Sequence, residues 1–446
     1  MFWPLKFLYS PKENQSHYIK DTQGRIIIYH GANLSNYAKH SSNIPGYFNT
    51  NTAGVSWHTL EDIQRLNTWG FNLVRYLVFW EALEPEKGVY NTEYINKTHE
   101  KLRLLRDCNI DVLLDFHQDL YAQKFTGEGF PEWTINDENN TFERQEPWNK
   151  NYFQPAVKAS YKNFWRSTDL QKYYAAALAK VVMEFSGYKN VIGIDVMNEP
   201  IPILPKFLSF ESGVLSNFYD KLYMVLHRYN PRMRMFYEPW MSTSTGIPTN
   251  LTFKPRLNCV LSPHYYDYWC ETNEPYKAFN KWWMKRAFEI KVREAQKYQT
   301  PLLYGEFGFP SNAPGYLDGM EDFLNLADKY AVGWTYWSYD ITPHNDRGFL
   351  NADKSGNDFL KKLVRIYPQR IAGDNPTYSM KDGKFSLYYD KTGASGNTEI
   401  FIPNMVFFEV EQSTGTCTYD TTTSRLLVEN GPGKSQYTVL KYSPII

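Results

Sequence analysis

The stretch Val191-Ile192-Gly193-Ile194-Asp195-Val196-Met197-Asn198-Glu199-Pro200 is a near-continuous apolar run that ends on a polar triplet. An apolar run of this length, without helical periodicity, suits a parallel strand buried on both faces. Seven other runs share the pattern: Ile26–Gly31, Asn72–Val78, Asp111–Phe116, Met233–Tyr237, Cys259–Ser262, Leu302–Tyr304 and Gly333–Ser338. Helical patterns lie between them. Leu60, Ile63 and Leu66 form one stripe. Tyr174, Ala177, Leu178, Val181, Val182 and Phe185 form another, preceded by the capping candidates Ser167, Thr168 and Asp169 and closed by Gly187. Strands alternating with helices at this count predict an α/β fold, a closed (β/α)8 TIM barrel, since open doubly wound sheets usually have fewer strands.

After Pro368 the pattern changes. Phe385–Tyr389, Glu399–Ile402, Phe407–Glu411, Thr416–Tyr419, Arg425–Val428 and Tyr437–Tyr442 read as short strands between Gly, Asp and Asn turns. The expected organisation is a catalytic barrel over residues 1–370 and a C-terminal antiparallel β-sandwich over residues 371–446, the sandwich bracing the barrel by default. Most connections are short, but the one after Phe116 runs to about Ser167, and long loops after barrel strands usually carry function.

The 48 basic and 48 acidic residues cancel, so no basic field is available to hold a nucleic acid backbone. The four cysteines, Cys108, Cys259, Cys270 and Cys417, form no CxxC pair, which argues against a zinc ribbon or a thioredoxin-type site. Cys259 and Cys270 are close enough to bridge, and free thiols are an equal reading. No stretch approaches a membrane span, and Met1-Phe2-Trp3-Pro4-Leu5-Lys6 lacks the layout of a secretory leader, so any targeting segment is not visible.

Asn198-Glu199-Pro200 follows the fourth run, and Gly305-Glu306-Phe307-Gly308 closes the seventh. Both glutamates then project at the C-terminal face of one barrel, from staves that face each other across its mouth. Hydrolysis of a glycosidic bond needs two such carboxyls, one protonated to assist the leaving oxygen and one ionised; about 5–5.5 Å between them gives retention. His117-x-Asp119 offers two metal-type donors, but two ligands do not hold a metal, so no metal site is expected, and hydrolysis needs no cofactor.

With these residues in place, the chain resembles the clan A glycoside hydrolases, specifically glycoside hydrolase family 5, over residues 25–368. The resemblance implies that Glu199 is the acid/base and Glu306 the nucleophile. Arg75, in Leu73-Val74-Arg75-Tyr76, matches the arginine at the end of strand two that keeps the nucleophile ionised. Asn198 matches the asparagine that bonds the sugar 2-hydroxyl. His264 and Tyr266, in Pro263-His264-Tyr265-Tyr266, match a pair after strand six, with Tyr266 donating to Glu306. Trp337, in Trp334-Thr335-Tyr336-Trp337-Ser338, matches the aromatic platform under the cleaved sugar.

Strand three continues as His117-Gln118-Asp119-Leu120-Tyr121, followed by Gly127-Glu128-Gly129-Phe130-Pro131-Glu132-Trp133. This combination resembles the endoglycoceramidases, which cut between oligosaccharide and ceramide. The resemblance implies that His117 and Asp119 bind the glucose next to ceramide, with Lys39 as a further sugar contact. The alternatives it leaves open are a β-glucosylceramidase, or an endoglucanase or mannanase acting on polysaccharide. The apolar segment Ile201-Pro202-Ile203-Leu204-Pro205-Lys206-Phe207-Leu208 is a candidate lining for a ceramide channel, ordinary packing being the equal alternative. The partners expected are a glycosphingolipid, a membrane or micelle surface met transiently, and a lipid-presenting activator where one is required. The expected location is secreted, or in a digestive or lysosomal-type compartment.

Overall fold

The computed structural model describes residues 17–34, 39, 55–202, 209–342 and 346–444. Its centre is a barrel of parallel strands: β1 (His30–Leu34), β2 (Leu73–Phe79), β3 (Asp111–His117), β4 (Val191–Asp195), β5 (Arg234–Tyr237), β6 (Cys259–Leu261, resuming as His264–Tyr266), β7 (Leu303–Gly308) and β8 (Gly333–Tyr336). Each pairs with its sequence neighbour, and β8 returns to β1. The break in β6 falls at Ser262-Pro263, where proline withholds an amide hydrogen. The ring still closes there: Leu261 N donates to Pro301 O at 2.9 Å and Gly305 N to Pro263 O at 3.1 Å. Every residue of β1, β2 and β7 is buried, as the unbroken apolar runs require.

The run Ile26–Gly31 divides between two sheets. Ile26–Ile27 pairs antiparallel with Arg370 and Ile371 in the C-terminal sheet, and the barrel strand begins only at His30. An apolar run shows that a segment is buried, not which sheet takes it. The helix expected after Ser167 spans Thr168–Phe185, with the Ser167 hydroxyl accepting from Leu170 N at 3.1 Å. The long connection after β3 is more ordered than its composition suggests. It contains short 3-10 turns and the helix Pro155–Arg166, which buries Ala156, Val157, Tyr161, Phe164 and Trp165.

The C-terminal region holds β9 (Tyr367–Ile371), β10 (Gly373–Lys381), β11 (Lys384–Lys391), β12 (Thr398–Phe401), β13 (Val406–Ser413), β14 (Thr416–Asp420), β15 (Arg425–Glu429) and β16 (Ser435–Pro444). One sheet runs in the order Ile26–Ile27, β9, β12, β15, β14 and the other β10, β11, β16, β13. Ile400, Phe401 and Leu426 of the first meet Phe385, Leu387 and Leu440 of the second in one core, which makes the sandwich. β9 straddles residue 370. Two of the strands, β9 and β10, escape sequence reading because Pro368 and Asn375-Pro376 look like breakers.

The sandwich packs under the N-terminal ends of the barrel strands. The Tyr367 hydroxyl donates to Gly70 O at 2.6 Å, and its ring stacks on His30 at 3.6 Å. Gly70 has φ +84°, and a Cβ there would lie 2.2 Å from Phe401, so both the turn before β2 and the approach of the sandwich need glycine. The opposite end of the barrel is left to the catalytic loops. All four cysteines are free. No helix among the described residues is long and apolar enough to cross a membrane.

Candidate active site

Arg75 is the third residue of β2, inside the barrel rather than at a strand end, and is fully buried. Its Nη1 donates to Glu306 Oε1 at 2.6 Å and to Asn33 Oδ1 at 3.1 Å, and lies 3.0 Å from Asp115 Oδ2. Its Nη2 donates to Asn198 Oδ1 at 2.9 Å, and to Asp195 Oδ2 and Glu238 Oε1 at 3.2 Å each. Four strands therefore send a carboxylate to one guanidinium, whose rigid fork can serve several acceptors at once. Burial works against the charge on Arg75, but Asp115, Glu306, Asp195 and Glu238 outweigh it and hold the proton more tightly than usual.

Register fixes the rest. β1 sets Asn33 beside Arg75, and the second half of β6 sets His264 beside Glu306. The Tyr266 hydroxyl donates to Glu306 Oε2 at 2.7 Å, so each oxygen of this carboxylate accepts a hydrogen bond from a different residue. His264 Nδ1 lies 2.9 Å from Glu199 Oε1 and 3.5 Å from Glu306 Oε2; its Nε2 is 3.1 Å from Glu238 Oε1. Burial alone would lower the His264 pKa, but Glu238 and Glu306 raise it well above the ordinary value, so the ring is an imidazolium near neutrality.

Glu199 leaves β4 through a left-handed turn, φ +39°, an uncommon conformation for a non-glycine residue. Its backbone N donates to Glu238 Oε2 at 3.0 Å, and Gln118 Nε2 donates to its carbonyl at 3.1 Å. Oxygens of Glu199 and Glu306 lie within 4.8 Å of each other. Burial pushes the Glu199 pKa up, the His264 hydrogen bond opposes it, and the Glu306 charge adds to it. The pair thus has a carboxyl disposed to keep its proton beside one held by a guanidinium and a phenol.

A second polar group lies next to this pair. His117 Nδ1 meets Asp115 Oδ2 at 2.6 Å, and its ring stacks on Trp337 at 5.7 Å. Lys39 donates to Asp119, lies 3.1 Å from Glu128 Oε1 and stands 4.6 Å over the Trp337 ring. Asp119 also accepts from the Tyr152 hydroxyl at 2.8 Å. Burial opposes ionisation of Asp119, but Lys39 and His117 hold its pKa well below the usual range. All ten residues singled out from sequence, Lys39, Arg75, His117, Asp119, Asn198, Glu199, His264, Tyr266, Glu306 and Trp337, converge on this end of the barrel.

The sequence reading omitted Asn33, Asp115, Gln118, Glu128, Asp195 and Glu238. Glu238 follows the apolar run Met233–Tyr237 as Glu199 follows its own, so the signal that found Glu199 was present there too. Asp115 stands inside β3 and Asp195 closes β4, both fully buried, where an acid is costly unless paired. Burial pushes Asp195 up to about 6 against the pull of Arg75, and Glu238 well above the ordinary value. Among the described residues three sets have ligand-like spacing for a metal: His117, Asp119 and Glu128; Asp195, Glu238 and His264; Glu199, His264 and Glu306. In each, a basic side chain, Lys39 for the first and Arg75 or His264 for the others, already meets the carboxylates. Residues 203–208, which include most of the apolar segment after Pro200, lie outside the described residues; Ile201 before them is buried, its carbonyl accepting from Trp165 Nε1 at 2.7 Å.

The barrel and its paired glutamates define a glycoside hydrolase. The chain belongs to glycoside hydrolase family 5: residues 31–342 match the model for cellulase (glycosyl hydrolase family 5), and residues 365–440 match the glycoside hydrolase family 5 C-terminal domain. It is 26% identical to endoglycoceramidase I of Rhodococcus hoagii over 87% of this chain and 79% of the relative. It is also 26% identical to an endoglycoceramidase of Cyanea nozakii, over 87% and 82%. The solved endo-glycoceramidase II from Rhodococcus sp. shares the fold, with a TM-score of 0.84 at 24% identity over 95% of this chain and 99% of that one. Structures of that protein include a complex with ganglioside GM3 and a lactosyl-enzyme intermediate.

Proposed function

We propose that this chain is a retaining endo-β-glycosidase that hydrolyses the bond between oligosaccharide and ceramide in glycosphingolipids. The observation that carries the reading is the pairing of Glu199 and Glu306, with oxygens within 4.8 Å, on the short side that goes with direct attack by a carboxylate rather than the wider spacing of about 6.5–9.5 Å that goes with inversion. The endoglycoceramidase relatives, which align along most of the chain, supply the substrate class.

Glu306, oriented by Arg75 and Tyr266, attacks the anomeric carbon of the ceramide-linked glucose while Glu199 gives its proton to the ceramide oxygen. Ceramide leaves and a glycosyl ester on Glu306 remains. Glu199, now ionised, takes a proton from water, whose oxygen attacks the same carbon and releases the glycan with retained configuration and Glu306 free. His117, Asp119, Lys39 and Trp337 form the pocket for the glucose, the charged groups offering donors and acceptors to its hydroxyls and the indole offering an apolar face. The substrate implies contact with a membrane or micelle, assisted by a lipid-presenting protein where the layer is tightly packed. A secreted or lysosomal-type location is proposed because complex glycolipids face those spaces.

Incubation with a complex ganglioside, followed by mass spectrometry of the products, tests the reading. Intact oligosaccharide and free ceramide are expected. Release of glucose from glucosylceramide alone, or cleavage of mannan or β-glucan with gangliosides untouched, would replace the substrate while keeping the two-glutamate mechanism.

A further inference from the structure

Tyr266, the donor to the nucleophile, is followed two residues later by Tyr268, which is 59% exposed. Its ring begins a chain of ring contacts across the surface: Tyr268 to Trp269 at 5.9 Å, Trp269 to Phe279 at 5.0 Å and Phe279 to Trp282 at 5.8 Å. Phe279 and Trp282 are 52% and 55% exposed. Large apolar side chains scattered singly on a surface need no explanation, but a contiguous patch of them marks a binding surface.

These rings stand on the short helix Tyr268–Glu271, directly after β6, and on the first two turns of the helix Ala278–Tyr298. Elements that follow a barrel strand start at its C-terminal end, so the patch shares a face with Glu199 and Glu306. Trp283, half-buried behind it, anchors the helix by donating to Thr245 O at 2.7 Å. Lys277, Lys281, Lys285 and Arg286 are exposed around the rings. Lys281 is paired with Asp322, and Glu271 with Arg347, which leaves Glu274 as the acid set against the other cations of this stretch. Tryptophan, tyrosine and phenylalanine fringed by lysine and arginine make up the composition of surfaces that settle at the lipid–water interface, the rings at headgroup depth and the cations facing anionic lipids.

We propose that the patch of Tyr268, Phe279 and Trp282 docks this protein onto the lipid layer that displays its substrate. The proposal rests on the glycolipid reading above and gives it a surface. With the patch in the headgroup region, the catalytic mouth lies against the layer, and the scissile bond, which sits where glycan meets ceramide, is reached without extracting the lipid into water.

The test compares the wild-type chain with the double variant Phe279→Ser, Trp282→Ser. Co-sedimentation with vesicles of phosphatidylcholine and phosphatidylserine, and cleavage of ganglioside in those vesicles, are each expected to fall about tenfold or more, because two interfacial rings are lost. Cleavage of a water-soluble aryl lactoside is expected to stay at the wild-type rate, and wild-type binding to weaken as salt rises. Undiminished vesicle binding by the variant would overturn the proposal. So would a wild-type dimer in solution that the two substitutions dissolve, since the patch would then be an interface between copies. If the wild-type chain cleaves no ganglioside in detergent while the variant still loses vesicle binding, the substrate reading fails and the docking surface stands.

Discussion

The buried guanidinium of Arg75 meets carboxylates from β3, β4, β5 and β7, and its single positive charge cannot by itself balance four negative ones. His264 supplies a second cation against Glu238 and Glu306, and burial pushes Asp195 up to about 6 and raises Glu238 and Glu199 above the ordinary value. A general acid with a raised pKa is active below that pKa, so kcat/KM for an alkyl-type leaving group such as ceramide should fall as pH rises through a value above 4.5. A dinitrophenyl lactoside, whose leaving group needs no proton, should lose that alkaline limb; an identical limb on both substrates would remove Glu199 from the acid role. Glu306→Gln should reduce turnover by several orders of magnitude on every substrate. Glu199→Gln should do so on ganglioside while azide, which needs no base, restores turnover of the dinitrophenyl lactoside. Glu238 holds His264, Arg75 and the backbone of Glu199 at once. Glu238→Gln should leave the fold intact and let His264 titrate lower than in the wild type, because Glu238 is the foremost of the groups that raise its pKa; imidazole resonances followed by NMR against pH read this directly, and an unmoved titration would remove Glu238 as the partner that holds the ring charged.

At the scale of the element, β4 shows how a strand is cut to its neighbours. Gly193 interrupts an otherwise apolar run because a Cβ there would lie 2.4 Å from the Phe236 ring and 2.7 Å from Arg234 O on β5. Gly193→Ala should therefore cost about 1–3 kcal/mol, the usual range for overpacking, seen as a lower denaturation midpoint without a changed slope. An unchanged midpoint would mean that β5 moves aside freely. The same strand delivers Glu199, so the variant should also lose activity below the melting range if β4 shifts relative to Arg75.

The whole molecule is tied together at the barrel floor. Ile26 and Ile28, which precede β1, and Ala331, which precedes β8, share a core with sandwich residues, and the sandwich supplies the pairing partner of Ile26–Ile27. The buried Arg365–Asp328 pair at 2.5 Å links the segment entering β9 to the barrel helix before β8. A chain ended at residue 364 would expose this apolar floor and lose that pair. It should give little soluble protein, and the full chain should unfold in a single calorimetric transition. A soluble, active barrel from the shortened chain would show instead that the sandwich is dispensable.

Strand periodicity, the alternation with helices and the change of pattern near residue 368 were local properties, so sequence alone determined the barrel, the sandwich and the two glutamates. Each acid stands where an apolar run ends, and burial of a charge there is too costly to be incidental. Asp115, Asp195 and Glu238 are acids within or just after apolar runs, yet their meaning depends on a shared partner: β3 lies beside β2, but only the curl of the closed ring brings β4 and β5 to Arg75 as well. Tertiary structure also decided that Ile26–Ile27 joins the sandwich, because an apolar pair is satisfied by any sheet and the choice lies with the edge of β9. The ring-to-ring continuity of Tyr268 with Phe279 and Trp282 was likewise invisible beforehand. Their spacing in sequence fits core packing equally well, and only the folded helix shows which of these rings remain in water.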